Sequence, residues 1–274
     1  MNSSRIYSSI FMLFFLLLCL KSSLFFKIFF IHILSFFAIW EYLRIIKLSK
    51  IKNKNETADI NLTRIRLNIS DYIVLFSFQL FFLLNDNSFS IAPPILMMFI
   101  ILLIFYFFNK KRLKYSFGLF YIFLPFFFLN ELIDDNYLFF LTIAFTVTIS
   151  TDVGAYIAGN AIGGSKIAPT LSPNKTWAGF FGGILATLFI SNFIFQNNSS
   201  IVYGTLFFLS ASIVCQLGDM TESALKRSFN IKDSGSFIPG HGGILDRLDS
   251  FFTLILFIML LNFLNFDFSS HFAL

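Results

Sequence analysis

The chain has 274 residues, of which 57% are hydrophobic and only 13% charged, with 43 Phe and a formal net charge of +5. A soluble domain of this size has too little interior to hide so much apolar surface, so the composition excludes one and points to an integral membrane protein. The cations sit in short loops between apolar runs, where lipid headgroups and topology account for them, and this placement argues against nucleic acid as a partner.

In chain order, apolar runs fall at about 6–20, 24–43, 72–84, 91–108, 115–130, 137–157, 176–195, 201–225 and 245–265. A helix needs ~20 residues to cross a hydrocarbon core of ~30 Å. The runs therefore predict an all-α, polytopic membrane fold with about nine transmembrane helices. The first run, IFMLFFLLLCL, resembles a signal-peptide core, but no small-residue cleavage site follows, and it reads as a retained span. The run at 72–84 is short and fits a tilted or re-entrant segment. Residues 44–70 form the one long polar stretch, expected as a cytoplasmic surface loop or short interfacial helix whose cations hold anionic headgroups. Cys19 and Cys215 lie in apolar runs without ligand-like neighbours and read as buried free thiols. No internal repeat is visible. A single membrane domain over 1–274 is expected, with 1–149 mainly apolar scaffold and 150–265 supplying catalytic helices and cytoplasmic loops.

Sidedness follows from the cations. Beyond Arg66 they occur at Lys110, Lys111, Arg112 and Lys114, at Lys166 and Lys175, and at Lys226, Arg227, Lys232 and Arg247. With the spans above, all of these share one side with the basic segment 44–66. The opposite loops, NDNS at 85–88, ELIDDN at 131–136 and QNNSS at 196–200, carry acids or neutral polar residues. The positive-inside rule makes the cation side cytoplasmic, and the expected location is the cell (inner) membrane with the active site on its cytoplasmic face.

Three polar segments close the last four spans on that side. The first is residues 150–179, STDVGAYIAGNAIGGSKIAPTLSPNKTWAG. Asp152 lies in or near an apolar span, where an unpaired charge costs roughly 2.5–3.5 kcal/mol. Pro173 with the neighbouring Ser and Thr residues reads as a helix start whose free N–H groups favour an anion, with Lys175 as a point charge. An ordinary capped loop is the plainer alternative. The second segment, GDMTESALKRSF at 218–229, places Asp219, Glu222 or Ser223, and Lys226 on one helical face. An intrahelical salt bridge would explain two of those charges. The third, KDSGSFIPGHGGILDRLDS at 232–250, is too rich in Gly and Pro for a long helix until about Gly243. A helix starting there puts Asp246 and Asp249 one turn apart on the same face. The dipole accounts for one acid easily, whereas two of them facing Asp219 would repel unless a cation lies between. Hard oxygen ligands suit Mg²⁺ or Mn²⁺, which usually bridge to substrate phosphates. Lys226, Arg227, Lys232 and Arg247 surround the acids with positive charge. His241 is open to three roles: general acid or base, phosphate donor, or structural cap. Carboxylate-held metal with a ring of cations is equipment for polyphosphate chemistry.

The run Ser223-Ala-Leu-Lys226-Arg227, then Lys232-Asp233, then Pro239-Gly-His241-Gly-Gly-Ile-Leu-Asp246-Arg247-Leu-Asp249, resembles the signature of phosphatidate cytidylyltransferases (CDP-diacylglycerol synthases). TDVGAYIAGN, GGSK and SPNKTWAG resemble further stretches of that family in the right order, so the likeness covers about the C-terminal half. Asn174 and Ala178 depart from it, standing where a basic residue and often Glu are usual. The resemblance implies transfer of a cytidylyl group from CTP to phosphatidic acid, giving CDP-diacylglycerol and pyrophosphate with Mg²⁺. On that reading Asp219, Asp246 and Asp249 hold one or two metal ions, while Lys226, Arg227 and Arg247 offset phosphate charge. Ser172, Lys175 and Thr176 are candidates for CTP phosphates or the lipid headgroup, and Ser223, Lys232 and His241 complete the expected substrate contacts. CTP, phosphatidic acid and membrane lipids are the expected partners; a homodimer is compatible with the sequence but not required by it. A transporter would need polar, broken helices in both halves, and the pattern DG…AR…G…D…D of CDP-lipid-consuming phosphotransferases is absent. An enzyme acting on an isoprenoid lipid phosphate shares the same site chemistry.

Overall fold

A computed structural model describes residues 24–52, 65–84, 99, 103, 105–107, 113–131, 137–194, 201–231, 234–235, 242–264 and 266. Its elements are α1 (Leu24–Lys52), α2 (Ile69–Leu84), α3 (Leu113–Glu131), α4 (Tyr137–Ile162), β1 (Lys166–Ala168), β2 (Ser172–Thr176), α5 (Trp177–Ile194), α6 (Ile201–Ser228) and α7 (Leu245–Phe263). The protein is an α-helical, polytopic membrane protein. Among the described residues five helices are long and apolar enough to cross a membrane: Phe26–Ile51, Leu113–Asn130, Phe139–Ile162, Trp177–Ile194 and Ile201–Ser228. Ile69–Phe81 is a shorter apolar helix. α7 carries Asp246, Arg247 and Asp249 in its first turns, which shortens its uninterrupted apolar stretch. The expected run at 6–20 lies outside the described residues, as does most of 91–108 and, with the first, Cys19.

One expectation is corrected. Residues 44–52 do not begin a surface loop; they continue α1. Ile45, Ile46 and Leu48 are buried there, so the helix keeps an apolar face through its charged end. Arg44 lies over the Trp40 ring at 4.3 Å, and Lys47 donates to the Arg66 carbonyl and to Asn68 Oδ1. The cations snorkel while their stems stay packed.

The chain forms two compact units, Met1–Tyr137 with Ser228–Arg247, and Leu138–Arg227 with Leu248–Leu274. In the first, α1 packs on α2 and α3. Phe78 and Phe123 rings lie 4.5 Å apart, and Phe229 stacks on Tyr115 at 5.7 Å. Tyr42 is buried over Gly118, where a Cβ would collide with its hydroxyl, and that hydroxyl donates to the Tyr115 carbonyl at 3.0 Å. Lys114 Nζ donates to the Ser228 carbonyl at the C-terminus of α6, at 3.0 Å, as suits a cation beside the last free carbonyls of a helix.

In the second unit, small residues let backbones approach, the usual basis of helix association in lipid. A Cβ on Gly154 would meet Ala186 Cβ, and one on Gly182 would meet Ala158 Cβ, so α4 and α5 touch along glycines. A Cβ on Gly218 of α6 would strike Thr253 of α7. Phe207 of α6 stacks with Phe257 of α7, and Phe145 of α4 with Phe251. Cys215 is a buried free thiol, as expected.

Candidate active site

The second unit builds its polar interior from α4 upward. Thr151 Oγ1 donates to Ser212 Oγ of α6 at 3.1 Å and lies 2.9 Å from Thr187 Oγ1 of α5, all three residues being buried. Gln216 Nε2 donates to the Phe180 carbonyl at 3.1 Å. Hydroxyls and amides paired this way avoid the cost of bare polar groups in hydrocarbon, and they fix the rotation of α6. Four residues beyond Ser212 along α6 comes Gln216, then Gly218 and Asp219.

Asp219 meets a cation from the preceding hairpin: Lys175 Nζ lies 2.6 Å from Asp219 Oδ2 and 3.5 Å from the Gln216 carbonyl. One turn on, Lys226 Nζ pairs with Oε2 of the buried Glu222 at 3.2 Å. This is the intrahelical bridge weighed above, and it absorbs the second cation of the face. Asp249 of α7 lies within electrostatic reach of Asp219, Glu222 and Lys226. Its Oδ1 also accepts the Ser250 N–H at 2.7 Å. Arg227 Nε donates to the Leu171 carbonyl at 3.4 Å, tying the end of α6 to the turn of the hairpin. Ser223 lies half-buried on α6. Three carboxylates and two lysines thus occupy one polar cluster.

SPNKT is not a helix start, which corrects the expectation for Pro173. Ser172–Thr176 is strand β2, paired antiparallel with β1 through Lys166 with Thr176 and Ala168 with Ser172. Gly163 and Gly164, at φ of 67° and 93°, turn the chain out of α4, and the Trp177 N–H donates to the Ser165 carbonyl at 3.1 Å. Turn residues at both ends let the loop pair with itself. Only Thr176 caps α5: its Oγ1 accepts the Gly179 N–H at 3.1 Å, the N-cap to N3 bond. Thr176 is buried, Ser172 half-buried and Pro173 exposed.

Asp246 belongs to the first unit. Its carboxylate accepts the Ser234 N–H at 3.0 Å and the Gly243 N–H at 3.0 Å, so it closes the segment before α7 into a loop. Gly242, at φ 90°, makes that return possible, and a Cβ there would press on Asp246 Oδ2 at 2.9 Å. Arg247 is exposed. Lys232 and His241 lie outside the described residues. Sequence reasoning passed over Glu41, which is 5% exposed in α1 and accepts the Leu245 N–H at 3.1 Å and the Ser234 hydroxyl at 3.2 Å. The available signal was an acid inside the apolar run 24–43, where a carboxylate needs partners.

Among the described residues no three His, Cys, Asp or Glu side chains form a ready cage for a metal ion. Mg²⁺ does not require one, because it keeps several waters and usually takes one or two carboxylates plus substrate phosphates. Asp219 and Asp249, hard oxygen donors within electrostatic reach of each other, fit that demand.

A family model described as cytidylyltransferase family matches residues 3–264. The chain is 45% identical over 133 residues to a phosphatidate cytidylyltransferase of Bacillus subtilis (strain 168), covering 47% of this chain and 49% of the relative. It is 47% identical over 115 residues to one of Staphylococcus haemolyticus (strain JCSC1435), covering 41% and 44%. Against one of Brucella suis biovar 1 (strain 1330), identity is 43% over 139 residues, covering 48% and 50%. The chain spans about half the length of the curated relatives it matches.

Proposed function

Because the chain belongs to the cytidylyltransferase family, we propose that it transfers a cytidylyl group from CTP to phosphatidic acid, giving CDP-diacylglycerol and pyrophosphate. The observation that carries this reading is the cluster of Asp219, Glu222 and Asp249 with Lys175 and Lys226, built on α6, α7 and the hairpin. A soluble polyanion and a lipid phosphate repel each other, and a reaction between them is limited by positioning and charge neutralisation rather than by a strong base. The lipid phosphate is itself the nucleophile. Its oxygen attacks the α-phosphorus of CTP, that P–O bond forms, the bond to the bridging oxygen breaks, and pyrophosphate leaves with the electron pair.

Each residue has a part in that step. Lys175 binds phosphate oxygens by exchanging its present partner, the Asp219 carboxylate, for substrate. Lys226 and Arg227, on the last turn of α6, and Arg247 add positive charge along the polyphosphate, and Ser172, Ser223, Lys232 and His241 contribute further contacts to CTP or headgroup. Thr176 holds the start of α5, which orients the strand that carries Lys175. Asp219 and Asp249 would hold Mg²⁺, and the family resemblance of the sequence adds Asp246 to the expected ligands. When bound, the ion supplies charge neutralisation at phosphate oxygens and stabilises the leaving pyrophosphate. We place the site at the cytoplasmic face, where CTP is available, with the acyl chains remaining in the bilayer.

The test is to incubate purified protein in detergent with labelled CTP, Mg²⁺ and either phosphatidic acid or an isoprenoid lipid phosphate. CDP-diacylglycerol and pyrophosphate in equal amounts are expected from the first arm. Product from the second arm alone would reassign the lipid, and none from either would overturn the proposal.

A further inference from the structure

The segment leading into α7 is held by an acid from far earlier in the chain. Glu41 Oε2 accepts the Leu245 N–H at 3.1 Å, across 204 positions, and Oε1 accepts the hydroxyl of the fully buried Ser234 at 3.2 Å, across 193. Leu245 is the first residue of α7, so its N–H is one of the donors a helix start leaves without an intrahelical partner. A Ser, Thr, Asp or Asn just before it would normally answer one of these donors with its side chain, but Ile244 stands there and its side chain has no acceptor. Glu41 supplies from α1 what the local sequence lacks.

The glycines are shaped to this carboxylate. A Cβ on Gly235 or on Gly243 would collide with Glu41 Oε1. On the other side of the same loop, the N–H groups of Ser234 and Gly243 donate to Asp246. Two carboxylates therefore clasp one loop, and Ser234 is bonded to both. Displacing Glu41 releases Ser234, which in turn loosens Asp246.

We propose that Glu41 is a positioning residue: its carboxylate fixes the loop from Ser234 to Leu245 and so sets where the Asp246 carboxylate stands. The activity arm of the test rests on the cytidylyl-transfer reading, so a second arm is independent of it. Hydrogen–deuterium exchange of the purified protein in detergent reads the amides of Ser234, Gly243 and Leu245 directly. Glu41→Ala is expected to remove their protection, Glu41→Gln to retain most of it through the amide oxygen, and Gly235→Ala to mimic Glu41→Ala with the acid still present. In turnover with CTP and phosphatidic acid, Glu41→Ala is expected to lower kcat about 10–100-fold, the usual range for a residue that orients a metal ligand. The Mg²⁺ concentration for half-maximal rate should rise with it, and Glu41→Gln should recover most of the rate. Unchanged exchange in Glu41→Ala overturns the clasp. Equal losses in Glu41→Ala and Glu41→Gln with an unaltered Mg²⁺ requirement overturn the positioning role. If the wild-type protein makes no CDP-lipid, the functional reading fails, and the exchange arm alone decides the role of Glu41.

Discussion

Lys175 and Asp219, 2.6 Å apart, are the tightest ion pair of the site, and both are partly buried. Truncating one member leaves the other charge without its partner, so the pair is more sensitive to single changes than an exposed bridge. Lys175→Ala is expected to reduce kcat/KM for CTP by about 10–100-fold, the scale of losing one preorganised electrostatic contact. Lys175→Arg should recover part of the loss, which steady-state kinetics at varied CTP would measure. Asp246 poses a different question, because its oxygens accept two backbone N–H groups. Asp246→Asn keeps one acceptor oxygen, so the protein should still fold and insert with a Tm in detergent close to that of the parent. Turnover should nonetheless fall by on the order of a hundredfold, since an amide is a poor ligand for a hard cation. Near-normal activity in that variant would remove Asp246 from the reacting groups. Asp219, Glu222, Asp246, Asp249, Lys175, Lys226 and Arg227 stood out in the sequence as ionisable residues in an apolar chain, whereas Glu41 did not. The partners these charges take were not legible there: that Asp219 takes Lys175 and Glu222 takes Lys226 is a matter of distance.

At the scale of elements, α5 depends on its first turn, and the contact of α6 with α7 depends on Gly218. Thr176→Ala removes the acceptor of the Gly179 N–H and is expected to destabilise the helix start by about 1 kcal/mol, a shift of a few degrees in detergent Tm. Thr176→Ser should be nearly silent. Gly218→Ala adds a methyl against Thr253, where overpacking costs typically ~1–3 kcal/mol. Thr253→Ala in the same chain should restore part of that loss, a non-additivity expected only of residues in contact. The hairpin shows why the loop before α5 misled the eye. Pro173 next to Ser and Thr residues has the composition of a helix start, yet β2 gains a paired backbone by folding onto Lys166–Ala168. Local composition cannot see a strand partner four to ten residues away unless the turn between them is diagnostic.

Over the whole molecule, the distribution of Lys and Arg makes a topology prediction that needs no activity. In a chain with Cys19 and Cys215 replaced, a single cysteine at Ser165 should react with an impermeant thiol reagent only in inside-out vesicles. One at Asn197 should react only in right-side-out vesicles, and the reverse pattern would invert the proposed orientation. Sequence alone determined the membrane class and, to within a few residues, where α3 to α7 run. In hydrocarbon a backbone must satisfy its own hydrogen bonds within each segment, so a span is a local property of an apolar run. Sequence also singled out the acids and cations of the site and its family, through residues at fixed spacing. Tertiary structure alone decided that α1 continues to Lys52, since the buried side of Ile45, Ile46 and Leu48 exists only where other helices cover it. It alone joined Glu41 to Ser234 and Leu245, because a hydrogen bond across some two hundred positions depends on how distant helices pack, which no window along the chain contains.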